Sequence, residues 1–330
     1  DNAMLVVPRI DWTSSTIYDE YDDTLELHDV SSLKKYYVLV DEDRVYKCIS
    51  NNGGANSTVK PSLTTTQIFN TADGYRWKFL YKLNESQKDF LTLEYLPVTV
   101  AEKNTDEAEQ LQYDVQKNAI DGSISRITIT TKNNGYSKAI TTEQTLKVTA
   151  LANTNQVIFP QSASETAGFY EGYMFYVSSG RGSEVGQLRR ITSYTYDATT
   201  DTRTATLDSN LTFQVFGDDR SGTKSKFKVL PEILIHGDGS DALAVLNVDE
   251  ELKADTVSIV NQGRDYTKAY VTFPTDNGGT DPVGRVYISP KGGHGSNVIN
   301  EFDASRIMIR LLNENIERAF IILVDEKITL

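Results

Sequence analysis

The 330 residues hold one cysteine, three histidines, three methionines and two tryptophans. Each scarcity excludes something. Cys48 has no partner within the chain, so a disulfide framework is ruled out, which suits folding in a reducing cytoplasm. It stands in the strand-like run Val45-Tyr46-Lys47-Cys48-Ile49, where a buried thiol is the plain reading and a nucleophile the sharper one. His28, His236 and His294 are few for histidine chemistry. No H-E-x-x-H, no Cys/His pair at zinc spacing and no G-x-S-x-G elbow occurs. Ser31-Ser32-Leu33-Lys34 matches S-x-x-K without its usual companions. There is no phosphate-binding P-loop and no Rossmann fingerprint, and Gly180-Arg181-Gly182 reads as a β-turn. The expectation is no catalytic residue, no cofactor and no resident metal, hence not an enzyme.

Basic charge is also short, at 33 Lys and Arg against 46 Asp and Glu, a net −13. Such a field repels phosphate backbones and anionic membranes, so neither is an expected partner. No apolar run approaches the roughly 18–20 residues that cross a bilayer as a helix, so membrane insertion is not expected. The most apolar short stretch, Ala319 to Val324, is strand-sized. Nothing near the start reads as a signal peptide. The opening Asp1-Asn2-Ala3 lacks a Met at position 1, which points to a processed start or a piece of a longer polypeptide.

What is present favours strands. Hydrophobic residues make up 39%, and 18 Tyr join runs of Val and Thr. Tyr36 to Val40 and Tyr46 to Ile49 can pair across the acidic turn Asp41-Glu42-Asp43-Arg44. From Gly74 to Leu83 the pattern has period two: Tyr75, Trp77, Phe79 and Tyr81 share one face, and Arg76, Lys78, Leu80 and Lys82 the other. The aromatic face reads as core, with a protein contact or a sugar platform as alternatives. Asn84-Glu85-Ser86 can cap a short helix reaching Phe90 and Leu91. Residues 101–119, rich in Glu, Gln and Ala, read as the best helix.

Further on there is an internal echo. Ile127-Thr128-Ile129 leads to Tyr136, and Val257-Ser258-Ile259 leads to Tyr266, at a constant offset of 130. Two copies do not make a solenoid. They suggest two similar β units facing each other in one sandwich. Between them, strand-like stretches around Val157 to Pro160 and Phe169 to Val177 precede a hairpin, Gln187 to Tyr196 with Thr202 to Leu207. The expected fold is mostly β: a multi-layer β-sandwich with short helices and an inserted small β module. The expected divisions are an N-terminal β domain over 1–118, a split unit over 119–150 plus 231–289, the insert over 151–230 and a C-terminal segment over 290–330.

Two acidic turns, Asp41-Glu42-Asp43 and Asp238-Gly239-Ser240-Asp241, could hold calcium, but neither has an EF-hand ligand series and both read more simply as solvated turns. The most unusual stretch is Gly292-Gly293-His294-Gly295. Three glycines around one histidine point to a tight loop. The histidine then either packs with a hydrogen bond or points into a subunit contact or catalytic pocket.

Two stretches carry a family resemblance. Pro8-Arg9-Ile10-Asp11-Trp12, followed by Tyr46-Lys47-Cys48 and then Asp73-Gly74-Tyr75-Arg76-Trp77, is similar in order and spacing to the dimeric baseplate wedge subunit of T-even-type contractile-tail phages. That family has Pro-Arg-x-Asp-Trp, then Tyr-Arg-Cys, then Gly-Asp-Gly-Tyr-x-Trp. The likeness spans about residues 4–100. Ser289-Pro290-Lys291-Gly292-Gly293-His294-Gly295 resembles longer wedge proteins of marine and cyanobacterial myophages. The 151–230 segment looks like a small β insert found in phage virion proteins. The family's region ahead of Pro-Arg-x-Asp-Trp is absent here.

The resemblance implies a homodimeric β-sandwich subunit, bound to other baseplate wedge proteins around the hub. It would relay the rearrangement that triggers sheath contraction, without catalysis. Its place would be the virion tail baseplate, assembled in the host cytoplasm. Pro8, Arg9, Asp11, Trp12, Asp73, Gly74, Tyr75, Trp77, Gly292, Gly293, His294 and Gly295 are then structural or interface candidates. The rivals are a carbohydrate-binding or glycan-cleaving tail protein and a secreted bacterial adhesin.

Overall fold

A computed structural model of the chain describes residues 2–24, 34–41, 43–102, 106–133, 135–150, 153–180, 185–212, 225–276, 281–313 and 316–324. His28, Ser31 to Leu33, Glu42 and Arg181 to Ser183, all singled out above, lie outside the described residues. The fold is mostly β, with several packed sheets and three short helices among the described residues.

The first strands are β1 (Ala3–Pro8), β2 (Tyr37–Val40), β3 (Arg44–Ser50), β4 (Ile68–Asn70) and β5 (Arg76–Lys82). Helix α1 (Glu85–Lys88), β6 (Tyr95–Val98), helix α2 (Glu107–Lys117) and β7 (Ile124–Thr131) follow. Next come β8 (Ile140–Thr145), β9 (Val148–Ala150), β10 (Asn153–Ile158), β11 (Met174–Ser179), β12 (Leu188–Asp197), β13 (Thr202–Leu207) and β14 (Lys226–Leu230). The remaining elements among the described residues are β15 (Leu234–Gly237), β16 (Ser240–Val248), β17 (Ala254–Arg264), β18 (Ala269–Thr272), β19 (Val283–Ile288), helix α3 (Val298–Glu301), β20 (Arg306–Asn313) and β21 (Ile316–Val324).

Two compact units divide the chain. Residues 1–126 with 287–330 form one, and 127–286 form the other. The expected N-terminal domain, 1–118, and the expected C-terminal segment, 290–330, therefore fall in the same unit. The cause is strand pairing: β20 runs antiparallel to β1, with Met4 opposite Met308, while β6 takes the other side of β1.

In the first unit, two four-stranded sheets have the orders β21-β20-β1-β6 and β2-β3-β5-β4. Val7, Leu96 and Val98 from one sheet share a core with Tyr37, Val45, Tyr46, Trp77 and Phe79 from the other. The β2–β3 hairpin turns at Asp41, whose φ of 50° is one that Asp tolerates better than most residues. Strand β5 is central and buried on both faces, which explains its composition. Tyr75, ahead of its first residue, and Trp77, Phe79 and Tyr81 within it have no exposed surface. Leu80 and Lys78 on the opposite face are buried too, partly under α2, which supplies Leu111 and Val115. Lys78 resolves its burial by donating to the Thr66 carbonyl, and burial pushes its amine down to about 8.

Asn84 caps α1 with a reciprocal capping box through Gln87. Helix α2 is shorter than the 101–119 expected. Asp106 caps it by accepting from Glu109 N, whereas Ala101 lies ahead of the helix with its N–H and carbonyl both tied to the Gln116 side chain.

In the second unit, a curled seven-stranded sheet has the order β8-β14-β11-β12-β13-β10-β9. Its end strands, β8 and β9, are separated in the chain only by Leu146 and Lys147. Leu146 N donates to Ser225 O, and Lys147 O accepts from Ile158 N, so both ends of the sheet meet at that link. The curled sheet thus takes in 140–150, ahead of the 151–230 expected for the insert. Phe159, Phe175, Tyr194 and Phe227 fill its interior. The expected strand Phe169 to Val177 begins only at Met174, because Gly168 and Gly172 adopt positive φ and turn the chain.

The two echo copies lead into different pairings. β7 pairs with β19 and β17 with β16, so the copies do not pair with each other. Both marker tyrosines are buried; Tyr136 donates to Phe273 O, and Tyr266 lies against Gly237 and Gly239.

Trp77→Ala and Tyr75→Ala are each expected to destabilise the protein by about 3–5 kcal/mol, measured by chemical denaturation. An unchanged unfolding midpoint together with lost glycan binding would contradict the core assignment.

Candidate functional site

The singled-out residues gather in two places, both in the first unit. The first joins the two motif stretches. Pro8 ends β1, and its carbonyl accepts from Tyr37 Oη at 2.7 Å. Arg9 N donates to Glu94 O, its guanidinium donates to Thr92 O at 3.0 Å, and it pairs with Asp11 at 2.9 Å. Beyond the strand, Trp12 N donates to Leu39 O, which fixes the indole over Ser57.

Trp12 Nε1 donates to Ser57 Oγ at 3.0 Å, and Ser57 Oγ donates to Asp73 Oδ2 at 3.3 Å. The same carboxylate accepts from Thr58 N, Val59 N, Thr71 Oγ1 and Tyr75 N. Partial burial works to raise the Asp73 carboxyl, but these hydrogen bonds outweigh it and hold it below the usual range. Gly74 has φ +83, and a Cβ there would meet the Asn52 side chain at 2.6 Å. Tyr75 then stacks on Trp77 at 5.5 Å between ring centres, with Tyr18 edge-on to Trp77 at 5.8 Å. This arrangement orders loops around a strand; its polar atoms are engaged with one another.

The second place is the glycine loop. Gly292, Gly293 and Gly295 all have φ between +84 and +92. A Cβ on Gly293 would sit 2.5 Å from Ile120 backbone atoms, and one on Gly295 2.4 Å from Val115 Cγ1. The tight loop turns His294 inward. His294 Nε2 lies 2.6 Å from Ser125 Oγ in β7, and its ring stands edge-on to Tyr21 at 4.7 Å. Its Nδ1 is 3.9 Å from Glu301 Oε2, beyond hydrogen-bond reach, and has no partner. Glu301, at the end of α3, is held by Lys47 Nζ at 2.8 Å on Oε2 and by Gly295 N at 2.6 Å on Oε1. Lys47 Nζ also lies 3.9 Å from the centre of the Tyr21 ring.

Burial lowers the Lys47 amine, with Glu301 working against it. Burial would raise the Glu301 carboxyl, but Lys47 and His294 overcome that and bring it down to about 2. Burial first, and Lys47 next, bring His294 down to about 3, so the ring is neutral at ordinary pH.

Serine, histidine and glutamate in this order are the chemical parts of a nucleophile, base and acid. Here Ser125, His294 and Glu301 are only 1%, 4% and 7% exposed, and the carboxylate is already engaged by Lys47 and Gly295. The Ser125 hydroxyl is closed to an outside substrate in this arrangement. Sequence reasoning singled out His294 but not Lys47, Ser125 or Glu301. The available signal was Lys47 itself, a charge in the middle of an apolar strand.

In the acidic turns, Asp238, Asp241 and Asp41 use their carboxylates internally. Asp238 accepts from Thr267 and Lys268, which holds it far below the usual range, and Asp241 pairs with Arg264. Asp41 pairs with Arg44 and Lys60. Among the described residues no group of three or more His, Cys, Asp or Glu is placed to hold a metal ion. Among them, too, no helix is long and apolar enough to cross a membrane. No protein-family model, curated protein or solved structure matches the chain.

Gly293→Ala is expected to cost at least about 1–3 kcal/mol from backbone strain alone, read from the thermal midpoint. His294 generates a pH dependence. The unfolded ring takes up a proton near pH 6.5 and the folded one only near 3, so the unfolded state binds more protons between those values. As far as His294 alone is concerned, stability is highest above about pH 6.5 and falls as the pH drops toward 3, by on the order of 5 kcal/mol across that window. His294→Gln is expected to flatten that acid limb in denaturation curves taken at several pH values.

Proposed function

We propose that this chain is a structural subunit of a contractile-tail phage baseplate wedge. It dimerises, contacts other wedge proteins around the hub and relays the rearrangement that triggers sheath contraction. It performs no catalysis, is assembled in the host cytoplasm and resides in the virion tail. One observation carries the reading. Pro8 to Trp12 and Asp73 to Trp77, the two stretches behind the family resemblance, are joined through Trp12, Ser57 and Asp73. Motif residues that serve as architecture fit a structural subunit better than a catalyst. The rigid aromatic core and net charge of −13 agree with a role in assembly, away from nucleic acid.

A second reading, a glycan-binding tail protein, has a different support. Tyr75 and Trp77 are buried, but Tyr270 on β18 is 62% exposed and stacks on His236 at 4.7 Å, with only 14° between the ring planes. A flat exposed tyrosine backed by a half-buried histidine ring suits a sugar face.

Sedimentation of the full-length protein, alone and mixed with candidate wedge proteins, separates the two. A dimer that joins a larger wedge complex is expected. A persistent monomer that binds no tail protein but is retained on a glycan array, with retention lost in Tyr270→Ala, would overturn the wedge reading for the second.

A further inference from the structure

We propose that Lys47 and Glu301 condense within the folded chain to an amide bond, releasing one water and stapling β3 covalently to α3. The inference rests on the geometry of the buried pair and is independent of the wedge reading.

The reacting groups are already in contact. Lys47 Nζ lies 2.8 Å from Glu301 Oε2, and the two side chains are 0% and 2% exposed. Positioning of this quality replaces a bimolecular encounter, and effective molarities for well-oriented groups reach about 10⁵–10⁸ M. The Tyr21 ring, 3.9 Å away, covers the amine. Tyr36 Oη donates to the Glu301 carbonyl at 2.8 Å and fixes the end of α3. Exclusion of water favours condensation over the reverse hydrolysis. The product also replaces two buried charges with a neutral amide, removing the desolvation penalty of the ion pair.

The surrounding groups supply the rest of the chemistry. A proton first shifts along the hydrogen bond from Lys47 Nζ to Glu301 Oε2, leaving a neutral amine and a neutral carboxyl. The amine lone pair attacks Cδ, and the carbonyl electron pair moves onto Oε1. There the Gly295 N–H, at 2.6 Å, stabilises the developing negative charge as an oxyanion donor does. The nitrogen, now bonded to Cδ, gives up a second proton to His294 Nδ1. His294 passes it to the Oε2 hydroxyl as the Cδ–Oε2 bond breaks, and Oε2 leaves as water. The Nζ–Cδ bond has formed, both protons leave in the water and His294 is regenerated.

This assigns work to an atom that otherwise has none. His294 Nδ1 is buried without a hydrogen-bond partner, 3.9 Å from Oε2, while Nε2 lies 2.6 Å from Ser125 Oγ; the role proposed here takes the tautomer with its proton on Nε2, donated to that hydroxyl. An unpartnered buried nitrogen is costly unless it serves a purpose. Burial lowers the Lys47 amine and so favours the neutral nucleophile; the Lys47 charge keeps Glu301 ionised at rest, which makes the reaction slow. The resulting ring runs from residue 47 to residue 301 and contains all of residues 127–286.

Intact-mass measurement of the folded, then denatured, full chain tests this, with peptide sequencing of a digest. The wild-type protein is expected to be lighter than its sequence by one water and to yield one branched peptide joining the Lys47 and Glu301 segments. Lys47→Met should keep its full mass. Glu301→Gln should lose one ammonia in place of water, because the leaving atom at the same carbon is then nitrogen. His294→Gln should slow the mass loss while near-ultraviolet circular dichroism stays native. A wild-type chain that is folded by circular dichroism yet keeps its full mass after days at neutral pH overturns the proposal.

Discussion

Lys47 and Glu301, 254 residues apart in the chain, meet out of contact with water, and much of the first unit is arranged around keeping them together. Until they condense, the two buried charges are tolerable only when each is fully partnered. That condition explains features that otherwise look unrelated. Gly295 must be a glycine whose N–H reaches Oε1, and its neighbours must take positive φ for the loop to bend there. α3 must end where its last residue faces β3. Tyr21 must lie across the lysine, and His294 must share the same interior with Ser125 beside it. Removing Glu301 leaves the Lys47 charge without its counter-ion, and removing Lys47 leaves the buried carboxylate held by the Gly295 N–H alone.

Much of the fold was legible because it follows local rules. The period-two run from Tyr75 to Tyr81 describes a strand, and the Asn84 cap describes a helix start. The β2–β3 and β12–β13 hairpins are bracketed by their turns. What escaped depends on partners distant in sequence. Period two puts Lys78 on the face opposite the aromatics but does not tell that this face is covered as well, and nothing local marks Lys47 on β3 as fully buried. Ser125 and His294 are 169 residues apart, and no spacing rule links them. The curled sheet starts ahead of the 151–230 stretch, and 140–150 carries no composition shift to signal it. Those residues belong to the sheet only because both of its ends converge on Leu146 and Lys147.

The candidate residues divide by the same logic. The glycine loop was visible as an oddity of composition, and its geometry follows from backbone sterics. The Trp12–Ser57–Asp73 link was visible only as two separate motifs; Ser57, which joins them, gives no sign in the sequence. Asp73 organises its surroundings as a hub of donors, a role that an isolated carboxylate in a turn does not reveal.

Strand β1 has neighbours of two kinds. β6 lies about ninety residues downstream, while β20 comes only after the whole of 127–286 has been made. Pairing at long sequence separation is slow to form, since the intervening chain must first be closed into a loop. During synthesis one side of β1 therefore waits, its backbone groups unpaired, until the last tenth of the chain emerges. The second unit, contiguous in sequence, can fold in the meantime. The order of assembly is written into the connectivity: the interrupted unit begins first and is completed last.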